Sequence, residues 1–336
     1  MSLPGGYVSR RAMLAAALSA GALLPGCRRG RSDILRATDA QPDGYPTVAA
    51  VREMARLMHE RSGGRLQVKL YPGAQLGSER DTLEITVFGG IDFNRVNLAP
   101  LNSIAPETRV PALPFLFRDI SHMRAAMDGA PGQRILDALE PHGLIGLCFY
   151  DSGARSFYTR DRLIETPADL RGLKIRVQNS DLFVALVDAL GANATPMPYG
   201  EVYQGLTQGV VDGAENNWPS YESSRHFEVA PHYSLTRHVM APEALVVSAR
   251  SWQQFSGEDR ALIRQCARES VPYMRAHWDA RVRRARELLA EAGVRVNEPD
   301  PAPFVEAVAP VWERFLTTPD LRDLAEEIRA VGAGDA

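Results

Sequence analysis

The run Thr166-Pro167-Ala168-Asp169-Leu170-Arg171-Gly172-Leu173-Lys174-Ile175-Arg176-Val177, continued through residues 181–190 to Thr195-Pro196-Met197-Pro198, decides the fold class. Thr166 offers an N-cap and Pro167 stands at the first helical position, so the run opens with a short turn. Residues 173–177 then alternate as a strand, with Lys174 and Arg176 on one face and Ile175 and Val177 on the other. Residues 181–190 have helical spacing, Gly191 stops them, and the prolines after Thr195 require extended backbone. Strand, helix and extended segment make one unit, and the pattern recurs upstream. Residues 34–38 and 66–71 read as strands around a helix over 47–61, whose Val48, Val51, Met54, Leu57 and Met58 fall at helical spacing. Ser78 caps a helix running to Phe88, with Asp81 at its third position and Gly89-Gly90 at its end. Residues 92–97 and the apolar run Leu144–Tyr150 are further strands, the latter suited to burial on both faces. Repeated strand-helix units imply an α/β sheet protein, whose ligands sit beyond the carboxyl ends of the strands.

The chain has 336 residues, 45% hydrophobic and 24% charged, which suggests two domains with a core each. A net charge of −3 gives no reason to expect nucleic acid or an acidic membrane as partner. Only Lys69 and Lys174 are lysines, so the remaining basic residues are arginines and each needs its neighbours to single it out. Cys27, Cys148 and Cys266 have no CxxC or metal spacing, which excludes a zinc module or a disulfide scaffold. Cys148 and Cys266 either pair or are small buried residues; the apolar run around Cys148 favours the second.

Residues 256–292 carry no convincing stop, and Leu262, Cys266, Met274, Trp278, Val282, Ala285 and Leu289 mark one apolar face. A helix of about 55 Å exceeds one small domain, so it reads as a strut across both, kinked at Pro272. Two helices divided at Pro272 are the alternative. Arg275, Arg281, Arg283, Arg284 and Arg286 lie on it with Asp279 and Glu287 interleaved, which reads as a solvated face, not a nucleic-acid platform.

Arg10-Arg11, an apolar stretch to Leu24, and Leu24-Pro25-Gly26-Cys27 have the order of a bacterial export signal. The paired arginines resemble a Tat signal, and Leu-Pro-Gly-Cys resembles a lipobox with Cys27 as its lipidation candidate. The expectation is a periplasmic protein cleaved after residue 26.

No GxGxxG, P-loop, HExxH or GxSxG is present, so nucleotide, metal and serine-hydrolase chemistry have no motif, and neither a cofactor nor a metal is expected. What stands out lies between Ser152 and Ser224. Arg155 sits beside Gly153 after the long strand, and Arg176 near the end of its own strand. Gly209-Val210-Val211-Asp212-Gly213-Ala214-Glu215-Asn216-Asn217-Trp218-Pro219 runs from a helix through a short strand into polar and aromatic residues. An arginine in an apolar strand end needs a carboxylate, internal or from a ligand. Arg176 could pair with Asp212 or Glu215, Arg155 could be a loop charge, and Asn216 could cap a helix.

These segments, with Leu113-Pro114-Phe115-Leu116-Phe117, Gly191-Ala192-Asn193-Ala194-Thr195-Pro196-Met197-Pro198 and Glu201-Val202-Tyr203, resemble the solute-binding proteins of TRAP transporters, the DctP family. The resemblance covers the mature chain and implies two α/β domains around a ligand cleft, with the long helix crossing both. The implied domains are discontinuous, 33–153 plus 242–275 and 154–241 plus 276–336. It implies that Arg176 forks a ligand carboxylate, with Arg155 and Asn216 assisting. Asp92-Phe93-Asn94-Arg95-Val96-Asn97-Leu98-Ala99-Pro100 and Glu215-Asn216-Asn217-Trp218-Pro219-Ser220-Tyr221 look like the branch that binds hexuronates, glucuronate and galacturonate. By that likeness Glu79 and Arg95 meet sugar hydroxyls, with Asn97, Tyr45 and Asn217 as further candidates. Gln41 stands before Pro42 where histidine is expected in relatives. Trp218 or Tyr221 could stack on a pyranose or pack in the core.

The resulting reading is a monomeric, non-catalytic binding protein that closes on a carboxylated sugar and hands it to TRAP permease subunits. The alternatives are another organic acid (a C4-dicarboxylate, an aldonate or a 2-oxo acid), a uronate enzyme with Glu79 as general base, or a lipid-anchored sensor.

Overall fold

The computed structural model describes residues 34–332; the expected export signal and Cys27 lie outside the described residues. Two mixed sheets organise it. The first has β1 (Leu35–Asp39), β2 (Val68–Tyr71), β3 (Phe93–Asn97), β4 (Leu144–Tyr150) and β10 (Glu243–Ser248), in the order β2-β1-β3-β10-β4. The second has β5 (Arg155–Thr159), β6 (Lys174–Val177), β7 (Asn193–Pro196), β8 (Gly213–Asn216), β9 (His232–Val239) and β11 (Arg295–Asn297), in the order β11-β9-β5-β8-β6-β7. In the first sheet β1 runs parallel to β2 and β3, and β10 lies antiparallel between β3 and β4. In the second, β6 is parallel to β7 and β8, while β5 is antiparallel to β8 and β9. The chain passes from one sheet to the other at residues 151–154 and again at 240–242.

Local chemistry sets the elements much as the sequence suggests. Helix Pro46–Arg61 starts on an extended Tyr45 with proline at its first position and buries Val48, Val51, Met54, Leu57 and Met58. Helix Glu79–Val87 begins in a capping box. The Asp81 amide donates to Ser78 Oγ at 3.3 Å, and the Ser78 amide donates to Asp81 Oδ2 at 3.2 Å. Thr166 and Asp169 form a second such box ahead of the 3₁₀ turn Pro167–Leu170.

Helix Gly257–Glu291 runs unbroken through Pro272 for 35 residues, so the two-helix alternative is excluded. Ile263, Cys266, Met274 and Trp278 pack with Leu35, Val51 and Leu245 of the first sheet's layer. Ala285 and Leu289 pack with Tyr158, Tyr221 and Tyr233 beside the second. One helix therefore braces both sheets. The C-terminal helix Pro319–Ala330, expected with the second domain, returns to the first sheet's flank. There His122 Nε2 lies 2.8 Å from the Ile328 carbonyl, and Arg134 pairs with Glu327 at 2.9 Å. Cys148 and Cys266 are both free and buried, as the apolar run suggests.

Candidate functional site

Strand ends from both sheets converge on one place. On the first sheet, register sets Asp39 opposite Arg95 across β1 and β3, and Glu243 opposite Asn97 across β10 and β3. On the second, Arg155 opens β5, Arg176 lies one residue before the end of β6, and Asn216 ends β8 beside Ser156. An antiparallel strand entering next to parallel strands that leave puts its first residue at their carboxyl edge, which is how Glu243 and Arg155 reach the site.

A small cavity of about 20 Å³ sits between these edges, lined by Gln41, Glu79, Asn97 and Glu243 from the first side. Arg155, Arg176, Gln178, Asn216 and Ser220 face it from the second, with Ser152 between. A cleft of about 310 Å³ adjoins it and shares Glu79, Arg176, Gln178 and Tyr199. That size falls within the range of small-molecule sites.

The two arginines of the second sheet differ in kind. Arg155 is fully engaged: Nε donates to Glu215 Oε2 at 2.5 Å, Nη2 to Glu215 Oε1 at 2.7 Å and Nη1 to Asn216 Oδ1 at 3.0 Å. Burial alone would raise the Glu215 carboxyl, but Arg155 and the neighbouring His238 outweigh it and hold it at about 2. Arg176, just 3% exposed, has no carboxylate within ion-pair distance among the described residues. Its Nε and Nη2 donate to the Met197 carbonyl at 2.9 and 2.7 Å, and burial pulls the guanidinium below its ordinary value. Asp212 goes elsewhere, accepting from the Lys174 amide at 2.8 Å. A desolvated cation with no carboxylate at ion-pair distance is the feature that calls for an anionic ligand.

On the first side Arg95 is fully buried and paired with Asp39, with Glu79 at 3.0 Å and with Glu243 at 3.1 Å. Burial opposes its charge, yet these carboxylates keep it well above the usual value. Glu79 Oε1 also accepts from the Asn97 side-chain amide at 3.0 Å. Arg95, Tyr45 and Asn217 line neither cavity. Arg95 pairs with Glu79 and Glu243, both of which line the smaller cavity. Tyr45 instead places its hydroxyl 2.8 Å from Ser220 Oγ, joining the two sides, and Asn217 Oδ1 caps helix Trp218–Ser223 by accepting from the Ser220 amide at 2.8 Å.

Gln41 is noted in the sequence without a role, and Glu243, like Ser152, Gln178, Tyr199 and Ser220, is not among the candidates. Gln41 Oε1 is buried with no hydrogen-bond partner among the described residues. The Glu243 carboxyl is raised to about 7, chiefly by burial. The one available signal for Glu243 was an acid at the head of an otherwise apolar strand, Glu-Ala-Leu-Val-Val-Ser. Neither Trp218 nor Tyr221 faces the cavities: Trp218 stacks on Tyr233 at 4.3 Å, and Tyr221 lies 4.6 Å from Tyr158 in the same aromatic cluster.

Comparison with known proteins fits this geometry. Residues 37–318 match DctP, described as bacterial extracellular solute-binding protein, family 7. A solute-binding protein of Chromohalobacter salexigens is 42% identical over 301 residues, 89% of this chain and 90% of that protein. A TRAP periplasmic solute-binding protein from Xanthobacter autotrophicus, solved with bound β-D-galacturonate, superposes with a TM-score of 0.87. It is 49% identical, covering 88% of this chain and 99% of its own. One from Roseobacter denitrificans with bound β-D-glucuronate is 42% identical with a TM-score of 0.87, covering 89% of this chain and 100% of its own. The chain therefore belongs to the DctP family of TRAP extracellular solute-binding proteins.

Proposed function

We propose that this protein captures a hexuronate, glucuronate or galacturonate, in the cleft between its sheets and presents it to the TRAP permease without chemical change. The observation that carries the reading is Arg176, a buried guanidinium beside the cavity with no carboxylate of its own. A guanidinium matches a carboxylate as a planar fork, and the pair strengthens once water is excluded. Asn216 supplies both donor and acceptor, Glu79 and Gln41 supply acceptors, and a protonated Glu243 supplies a donor for ring hydroxyls. The uronates bound by the Xanthobacter and Roseobacter proteins support the same ligand class.

Closure would pivot at residues 151–154 and 240–242, between domains 33–153 plus 242–275 and 154–241 plus 276–318, with 319–330 moving with the first. Delivery in the periplasm, a monomeric state, export by residues 1–26 and lipidation at Cys27 complete the proposal.

The test is a thermal-shift panel of glucuronate, galacturonate, their neutral parent sugars, aldonates, 2-oxo acids and C4-dicarboxylates. Uronates should raise the melting temperature, and glucose and galactose should not. Equal shifts by the neutral sugars would remove the role of Arg176. A shift confined to dicarboxylates would replace the ligand class.

A further inference from the structure

The arginines of helix Gly257–Glu291 do not form one solvated face. Arg275 pairs with Asp128 at 2.6 Å and Arg281 pairs with Glu222. Arg283 and Arg286 are exposed and, among the described residues, meet no carboxylate at ion-pair distance. Both line a pocket of about 610 Å³ that shares no residue with the ligand cavities.

That pocket is lined by apolar and basic side chains. Trp218, Leu235, Met240, Trp278 and Val282 supply the apolar lining. The Trp218 ring is held by its stack on Tyr233, and the Arg286 guanidinium lies 5.8 Å from it. Arg118, Arg124, Arg237, Arg283 and Arg286 face two acids, Asp119 and Asp279. Asp119 is committed to the His122 amide at 2.8 Å, and Asp279 to Arg124 at 2.6 Å. Arg118 donates to the backbone carbonyls of Arg329 and Val331, which leave its charge uncompensated. Arg237 pairs with Glu298 at 2.5 Å. Excess positive charge around an apolar, aromatic-lined concavity fits an organic anion with a flat body.

The location adds a consequence. Gly153, Ala154 and Met240 in the pocket wall belong to the crossings between sheets at 151–154 and 240–242. We propose that this pocket is a second binding site, for a small aromatic or cyclic carboxylate, and that its occupancy is coupled to closure of the ligand cleft. The binding half stands alone; the coupling half rests on the cleft reading above. Any such coupling is reciprocal: the second ligand changes uronate affinity by the factor by which uronate changes its own.

The probe is 2-naphthoate, titrated into the full chain by calorimetry and by tryptophan fluorescence, with and without saturating galacturonate. The expected result is saturable one-to-one binding that persists with galacturonate present. R283Q/R286Q should weaken it at least tenfold while leaving galacturonate affinity in the absence of naphthoate unchanged. The neutral 2-naphthamide should bind at least tenfold more weakly than the acid. Absence of saturable binding, competitive displacement by galacturonate, or unchanged affinity in R283Q/R286Q would overturn the site. Equal galacturonate affinity with and without naphthoate would overturn the coupling. If galacturonate fails to bind at all, the uronate reading falls, while the naphthoate titrations still decide the second site.

Discussion

Arg176 donates through Nε and Nη2 to the carbonyl oxygen of Met197, and the Met197 amide in turn donates to the Val177 carbonyl at 3.1 Å. One residue thus both closes the β6–β7 pairing, through its amide, and fixes the guanidinium beside it, through its carbonyl. Nη1 makes no hydrogen bond among the described residues, so part of a pre-oriented donor fork remains for a ligand.

Replacing Arg176 separates binding from folding. Removing one partner of a desolvated, hydrogen-bonded charge pair costs about 2–5 kcal/mol of binding, so Arg176→Ala should weaken uronate at least thirtyfold. Because the guanidinium is buried without an anion, the ligand-free variant should melt no lower than wild type. Arg176→Lys keeps the charge but loses the fork, and should recover only part of the affinity. Calorimetry beside ligand-free melting curves reads both; a variant that loses stability as well as affinity would make Arg176 a structural residue.

Glu243 gives the pH dependence. Burial raises its carboxyl, Arg95 pulls it back, and Asp39 and Glu79 add to the rise, leaving it at about 7. The native state therefore keeps a proton that the unfolded chain releases near its ordinary value of about 4.3. Between that value and about 7 the native state binds more protons, so this group's contribution to stability falls as pH rises and levels off above. Glu243→Gln should flatten that fall, so its advantage over wild type in urea denaturation should grow from pH 5 to pH 8. Uronate affinity of the wild type should also weaken as the pH passes 7, since a second anion then lines the cavity. A constant difference between the two proteins across this range would exclude the assignment.

Features set by neighbours in the chain were legible in the sequence. Ser78 and Asp81 make their capping box within one turn, the Pro167–Leu170 turn lies within one box, and the apolar face from Cys266 to Leu289 shows its period directly, although Ile263 and not Leu262 is the buried residue at its start. The strand position of Arg176 was likewise visible, whereas Arg155, read as a junction or loop residue, opens a strand, and the partners of both were not legible. From sequence alone Glu215 was a candidate partner for Arg176; the β5–β8 register gives it to Arg155 instead and leaves Arg176 without a carboxylate at ion-pair distance. The partners of Arg95 were hidden for the same reason. Asp39 and Glu243, which bury it, come from strands far apart in the chain that only sheet order makes neighbours. Trp218 was ambiguous because a helix start says nothing about which side of the molecule its first ring will face.

Gly153 sits where the chain crosses between sheets, with φ +61° and room for no side chain. A Cβ there would stand 2.9 Å from Trp278 Cζ2, a ring atom that is itself buried. Gly153→Ala should lower stability by about 1–3 kcal/mol from backbone strain and clash together. Gly172 has φ +78° and nothing within 4 Å of the same added atom, so Gly172→Ala isolates the backbone part and should cost about 1 kcal/mol. Equal losses in denaturant titrations of the two variants would show that the Trp278 contact imposes nothing.

Tyr45 tests closure itself. Its hydroxyl reaches Ser220 Oγ at 2.8 Å, while its ring meets Trp278 edge-on at 6.1 Å. The residue precedes helix Pro46–Arg61 on the first side, and Ser220 lies in helix Trp218–Ser223 on the second, so this hydrogen bond spans the cleft. Tyr45→Phe keeps the ring and deletes the bond, a loss of about 1 kcal/mol that falls on any state in which the sides are together. If ligand binding requires that state, uronate affinity should drop about fivefold, mostly through faster release. Stopped-flow dissociation measures it directly. An unchanged release rate would mean that the two sides stay joined at Tyr45 whether or not ligand is bound, and would move the pivot away from this contact.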